Sequence, residues 1–131
     1  MLGGVPDDAR IDAMLAEQAA RWEGDGFGCS AWLDRETGEF VGRGGLWRFE
    51  VDGRDEVEAG WAVVPERWGQ GLAAEHLRHA PDTHGLSGIV SFTLPWNAAS
   101  RRVMEKLGLR YERDIVRKGF PQVLYRQPVT A

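Results

Sequence analysis

A single cysteine, Cys29, is all that this chain of 131 residues carries. It cannot close an internal disulfide, and no cysteine spacing suited to a metal exists. Positive charge is also in short supply. The 16 lysines and arginines are outnumbered by 20 aspartates and glutamates, for a net charge of −4. A nucleic-acid binder displaces counterions with a surplus of Lys and Arg, so nucleic acid is not an expected partner, although a local basic pocket remains compatible with this balance. No apolar run approaches the roughly 18 residues of a membrane span. Met1 to Arg10 carries two acids and no apolar signal core. The expected location is the cytoplasm, without a membrane partner.

What the chain has in excess is glycine, 17 residues, against a usual share of about 7%. The hydrophobic fraction of 43% and the charged fraction of 27% are otherwise those of an ordinary globular protein. The glycines therefore mark particular places. A chain of this length forms one domain and buries roughly two thirds of its unfolded surface, enough for one core.

After Pro6, the acids Asp7 and Asp8 suit a helix N-terminus. Ile11, Met14, Leu15, Ala19 and Trp22 then recur at helical spacing up to Gly24. Cys29 to Leu33, Phe40 to Phe49 and Glu56 to Val64 read as three strands joined by tight turns, hence antiparallel. Gly69 to Ala80 is helical by composition, and Ile89 to Leu94 is a buried strand. Asn97 caps a helix running to Lys106, which Gly108 ends. Tyr111 to Val116 and Gln122 to Arg126 form a last hairpin around Gly119, Phe120 and Pro121. This order predicts a mixed, mostly antiparallel α+β sheet flanked by helices, with a parallel step across the helix that opens at Gly69.

The chemistry is concentrated where the strand stops at Pro65 and Gly69 and Gly71 open that helix. Glycines allow close backbone approach and leave N–H groups pointing outward, and a helix N-terminus adds partial positive charge. Such a turn suits a diphosphate, or it is simply a softened strand-to-helix connection. A P-loop is excluded because no Gly-Lys-Ser/Thr is present. Gly69 to Ala74 satisfies G-x-G-x-x-G/A, yet the preceding strands are antiparallel and no acid ends the next strand at Leu94, which disfavours a dinucleotide fold.

Two segments carry a resemblance. Glu58-Ala-Gly-Trp-Ala-Val-Val-Pro-Glu-Arg-Trp-Gly-Gln-Gly-Leu-Ala-Ala-Glu75 is similar to strand 4 and the Q/R-x-x-G-x-G/A loop of the GNAT superfamily of acetyl-CoA-dependent N-acetyltransferases. Asn97-Ala-Ala-Ser-Arg-Arg-Val-Met-Glu-Lys-Leu-Gly-Leu109 resembles its N-x-x-S-x-x-V-x-E-K-x-G-F element. The chain looks closest to the branch containing the ribosomal-protein acetyltransferases RimJ and RimL, from about Trp22 to Tyr125. The resemblance implies a GNAT-like sheet with a splayed parallel pair at the cofactor site, and transfer of an acetyl group from acetyl-CoA to a primary amine. It implies that backbone groups of Ala62, Val63 and Val64 pair with the pantetheine arm. Trp68, Gly69, Gln70, Gly71, Leu72 and Ala73 would form the diphosphate loop, Asn97 would contact pantetheine, and Arg102 would reach the phosphates, with Arg67 and Arg101 as further cations.

For catalysis the resemblance implies Glu58 as general base through water, with Glu56 on the same strand face as second choice. Met104 stands where many relatives carry a proton-donating Tyr, so Ser100 or water would protonate the leaving thiolate. Trp68 replaces a Gln or Arg common at its position, and Pro81 interrupts a helix that usually continues. Relatives in this branch begin with a further strand and helix before the region matching Pro6. Without them the domain is N-terminally shortened and Cys29 to Leu33 is an open sheet edge, which invites a homodimer. His76, His79 and His84 lack a third ligand, and no metal is expected. A non-catalytic acyl-CoA-binding or interaction module of the same fold is the alternative reading.

Overall fold

A computed structural model describes residues 7–129 of the protein; Pro6 lies outside them. Helix α1 spans Asp8–Asp25. Its N-cap Asp7 accepts a hydrogen bond from the Arg10 N–H at 2.9 Å, and Gly26 ends it at φ 76 with its N–H on the Trp22 carbonyl. Strands β1 (Cys29–Leu33), β2 (Phe40–Val51) and β3 (Arg54–Val63) follow as an antiparallel meander. The β2–β3 turn is Asp52-Gly53, both at positive φ, the geometry that matches the twist of a tight hairpin.

Beyond β3 the chain departs from the single helix expected there. In place of one helix over Gly69 to Ala80 there is a turn through Gly69 (φ 79) and Gly71 (φ 74), helix α2 over Leu72–Leu77, and a separate short helix α3 over Ala80–Thr83. Proline lacks an N–H and disfavours helical geometry in its predecessor, so Pro81 is accommodated only in the first turn of a new helix. Strand β4 (Val90–Thr93), helix α4 (Ala98–Lys106), and strands β5 (Arg110–Arg117) and β6 (Phe120–Arg126) complete the chain. The last turn is Lys118-Gly119, both at positive φ, and Phe120 and Pro121 belong to β6 rather than to the turn. Pro121 is tolerated there because β6 meets β4 only from Val123 onward.

The six strands lie in the order β1-β2-β3-β4-β6-β5. Only β3 and β4 are parallel, and they share a single bridge, Glu58 with Val90. Past that bridge the two strands diverge. Alternation along β3 sorts the two faces: Val57, Ala59, Trp61 and Val63 pack with Leu46, Met104, Leu107 and Leu77 under α2 and α4. Glu56 and Glu58 point to the other face, where Val51, Val90, Ile115 and Leu124 cluster with Phe49 and Phe92. No helix among the described residues is long and apolar enough to cross a membrane.

Candidate active site

The divergence of β3 and β4 is a direct consequence of register. The Val64 N–H donates to the Val41 carbonyl at 3.0 Å, so Val64 faces β2. Antiparallel alternation then turns the N–H and C=O groups of Ala62 toward β2 as well, and those of Trp61 and Val63 toward the gap. The expected backbone trio of Ala62, Val63 and Val64 is thereby corrected: Val63 faces the opening, with Trp61 rather than Ala62 or Val64. One outward carbonyl is already engaged, since the Trp68 indole N–H donates to the Val63 oxygen at 2.7 Å. Trp68 is otherwise exposed and lies along the wall of the opening.

A cavity of ≈ 360 Å³ runs from this gap to the turn before α2. Val63, Trp68, Gly69, Gly71 and Ala73 wall one side. Asn97, Ser100 and Arg102 come from α4 on the other. The side chains of Gln70 and Leu72 are not among its walls; Leu72 packs into the core beneath α2. The first N–H groups of α2 have no intrahelical acceptor, because the first closed turn is Glu75 N–H to Gly71 C=O at 3.0 Å. Asn97 caps α4, its side-chain oxygen accepting from the Ser100 N–H at 3.1 Å, which fixes Ser100 in the first turn facing the cavity.

Cations sort themselves by partner. Arg102 lines the cavity together with Lys106, one turn on, and neither forms an ion pair among the described residues. Lys106 was missed by the sequence reading, although its spacing of four from Arg102 puts both on one helix face. Arg67 is bound to Asp34 at 2.7 Å, and that bond holds the Asp34 carboxyl down at about 2. Arg101 is turned away from the cavity: it donates to the Tyr125 hydroxyl at 3.0 Å and to the Pro95 carbonyl at 2.8 Å, clamping α4 to the sheet. It is corrected from phosphate contact to structural tie.

On the opposite face, a second cavity of ≈ 200 Å³ opens at the same divergence. Arg43, Trp47, Glu58, Ser91 and Phe92 surround it, Met104 closes its floor, and Trp61 belongs to both cavities. Glu58 is only 8% exposed. Burial pushes its carboxyl up from 4.5 to about 7, against the opposing pull of the Trp47 indole, which donates to it at 2.8 Å, and of the Arg117 and Arg21 charges. Gly60 is what lets that indole lie flat across β3; a Cβ there would come within 2.4 Å of the Trp47 ring. Glu56, the second-choice base, shares the face but is bound through both oxygens to Arg126 and does not line this cavity. Ser91 ties its hydroxyl to the Ala59 carbonyl at 2.8 Å.

The histidines lie apart from both lining sets. His76 stacks on Trp32 at 4.4 Å, His84 leans on Phe27, and His79 caps α3 outside the helix of His76. Among the described residues no three His, Cys, Asp or Glu side chains gather to hold a metal.

The acetyltransferase (GNAT) domain family matches residues 2–110 of the sequence. This chain belongs to that family. YkkB of Bacillus subtilis strain 168, an uncharacterised protein, is 31% identical over 108 residues, which are 78% of this chain and 63% of YkkB. The FsC-acetyl coenzyme A-N(2)-transacetylase of Aspergillus fumigatus is 35% identical over 96 residues, 66% of this chain and 40% of that enzyme. The GNAT domain described here thus spans less than two thirds of the length of either relative. Among solved structures, a protein assigned to the GnaT acetyltransferase family from Bordetella pertussis superposes with a TM-score of 0.87 at 26% identity, covering 98% of this chain and 82% of that one. YncA of Salmonella typhimurium, solved with acetyl-CoA as its cofactor, superposes with a TM-score of 0.68 at 25% identity over 88% of this chain and 71% of its own. The six-stranded GNAT sheet with its one parallel pair is therefore the fold that the sequence motifs implied.

Proposed function

We propose that this GNAT domain is an N-acetyltransferase of the branch containing RimJ and RimL, moving an acetyl group from acetyl-CoA to a primary amine in a ternary complex. One observation carries the reading: a single divergence in the sheet opens on one face to a glycine turn flanked by unpaired cations, and on the other to a buried carboxyl. The donor set fits the carrier. Outward N–H groups and the charges of Arg102 and Lys106 suit a diphosphate, and the strand-like groups of Trp61 and Val63 suit an extended amide arm.

Acetyl-CoA, when bound, supplies a thioester whose carbon–sulfur bond breaks as the amine nitrogen bonds to its carbonyl carbon. The chain's own residues manage the protons. Glu58, ionised above about pH 7, takes the proton that the attacking nitrogen loses, through a water in its cavity. The Ser100 hydroxyl, held at the first turn of α4, gives a proton to the departing sulfur and regains one from solvent, as Glu58 releases its own to solvent. Met104 is buried against the floor and donates nothing. Holding both reactants at one opening supplies much of the remaining acceleration. Beyond Cys29, whose N–H and C=O are taken by Gln18 and Trp22 of α1, the edge of β1 is where a second copy would add to the sheet.

Thermal-shift titration with CoA and acetyl-CoA, followed by thiol release with a panel of amines, tests this assignment. Stabilisation by both, with thiol release on at least one amine, is expected. Stabilisation without release on any amine would make the chain a non-catalytic acyl-CoA-binding module. Trp47→Phe gives a finer check. It removes the donor that steadies the Glu58 carboxylate, so the rise of kcat/KM with pH should move to a midpoint above about 7. An unmoved pH profile would detach Glu58 from the chemistry.

A further inference from the structure

The cavity of Glu58 has one cation on its wall, Arg43, which forms no ion pair among the described residues. Arg43 pairs in register with Ala62, on the face that also carries Trp47 and Glu58, and it lines the cavity. Arg117 of β5 lies over the rings of Phe49 at 4.3 Å and Phe92 at 4.7 Å and is not part of the cavity wall, to which Phe92 belongs. An unpaired guanidinium keeps its rim of N–H donors free for a planar oxyanion. The acids of this face are otherwise committed: Glu56 is held by Arg126, and Glu58 is sunk into the floor. Trp47 and Phe92 add apolar surface to the same wall.

We infer that the acceptor is a small amine bearing a carboxylate, its nitrogen directed to Glu58, its apolar body against Trp47 and Phe92, and its carboxylate on Arg43. This rests on the acetyl-transfer reading above and narrows it. An Arg–carboxylate pair is planar and commonly bidentate, which fixes orientation as well as adding affinity. The same charge repels a polycationic acceptor such as a polyamine. Size agrees, because ≈ 200 Å³ lies below the roughly 300–1,000 Å³ of sites for drug-sized ligands.

The test uses the full chain and matched pairs of probes: alanine, valine, leucine, methionine and phenylalanine, each beside its own carboxamide, with spermidine as the polycation. Thiol release should favour the free acid over its amide by about tenfold or more in kcat/KM in the best pair, with spermidine poorest. The amides are the less basic amines and present more neutral nitrogen near pH 8, so preference for the acid cannot arise from basicity. Arg43→Gln should remove most of that preference, chiefly through KM of the acid, while KM for acetyl-CoA stays put. Arg43→Lys keeps the charge and loses the planar fork, so it guards against a folding artefact in the Gln variant. Equal use of acid and amide, or preference for spermidine, overturns the inference. Should no amine release thiol, the acetyl-transfer reading falls by itself. Calorimetric binding of the same pairs to the CoA-loaded protein then decides separately: acid binding that disappears in Arg43→Gln upholds the inference, and equal binding, or none, of acid and amide overturns it.

Discussion

Glu58→Gln is expected to lower kcat for amine acetylation about a hundredfold near pH 8, since a positioned general base contributes on the order of 10²–10⁴. Affinity for CoA should not change, because Glu58 lies across the sheet from the glycine turn. The same variant should be more stable than the parent at that pH. Burial raises the folded pKa of Glu58 from 4.5 to about 7. Below 4.5 the group is neutral in both folded and unfolded chains, and its burial costs nothing electrostatic. As pH rises from 4.5 through about 7 the unfolded chain ionises first, so stability is lost across that window. The full effect is of order 3 kcal/mol at the 1.36 kcal/mol per pKa unit that links the two quantities. Glutamine never ionises and escapes the loss. Thermal melts of the two proteins should therefore coincide near pH 4.5 and separate by several degrees at pH 8, Gln above Glu. A variant that keeps parental turnover, or melts lower than the parent at pH 8, would remove Glu58 from its proposed role.

Gly71→Glu should weaken CoA binding about a hundredfold or more, a loss of about 2.7 kcal/mol. Gly71 stands at φ 74 as the N-cap of α2, and nothing lies within 4 Å of the Cβ it would gain. The fold therefore has room for the side chain and bears only the left-handed backbone cost of roughly 1–2 kcal/mol. What the new carboxylate opposes is a diphosphate at the outward N–H groups. Gly71→Asn, which tolerates the same backbone and adds no charge, should keep most of the affinity. Calorimetry on the two variants separates charge from strain. Equal affinity of Glu and Asn variants would place the phosphates elsewhere.

Much of this site was legible along the chain, and the reason is local. Positive-φ glycines, an Asn cap and a strand-stopping proline act within a few residues, so Gly69, Gly71, Asn97 and Pro65 announce the loop and the start of α4. What stayed hidden depends on register and on partners far away in sequence. The direction of Val64 follows from its bond to Val41, which no reading of β3 alone supplies. Arg101 looked equivalent to Arg102 until Tyr125 and Pro95 claimed it. Glu56 and Glu58 share a face, yet Arg126 occupies one and Trp47, with burial, reshapes the other. Pro81 signalled an interruption, but the new helix it opens depends on where the chain must return to reach β4.

A crystal structure of the protein grown with excess acetyl-CoA bears most directly on the central claim. The diphosphate is expected on the N–H groups between Gly69 and Ala74 and the pantetheine arm between Trp61 and Asn97, with its sulfur end toward Ser100 and Glu58. An arm bound on any other surface, or a gap between β3 and β4 closed by the Trp68 indole with no carrier in it, would contradict it.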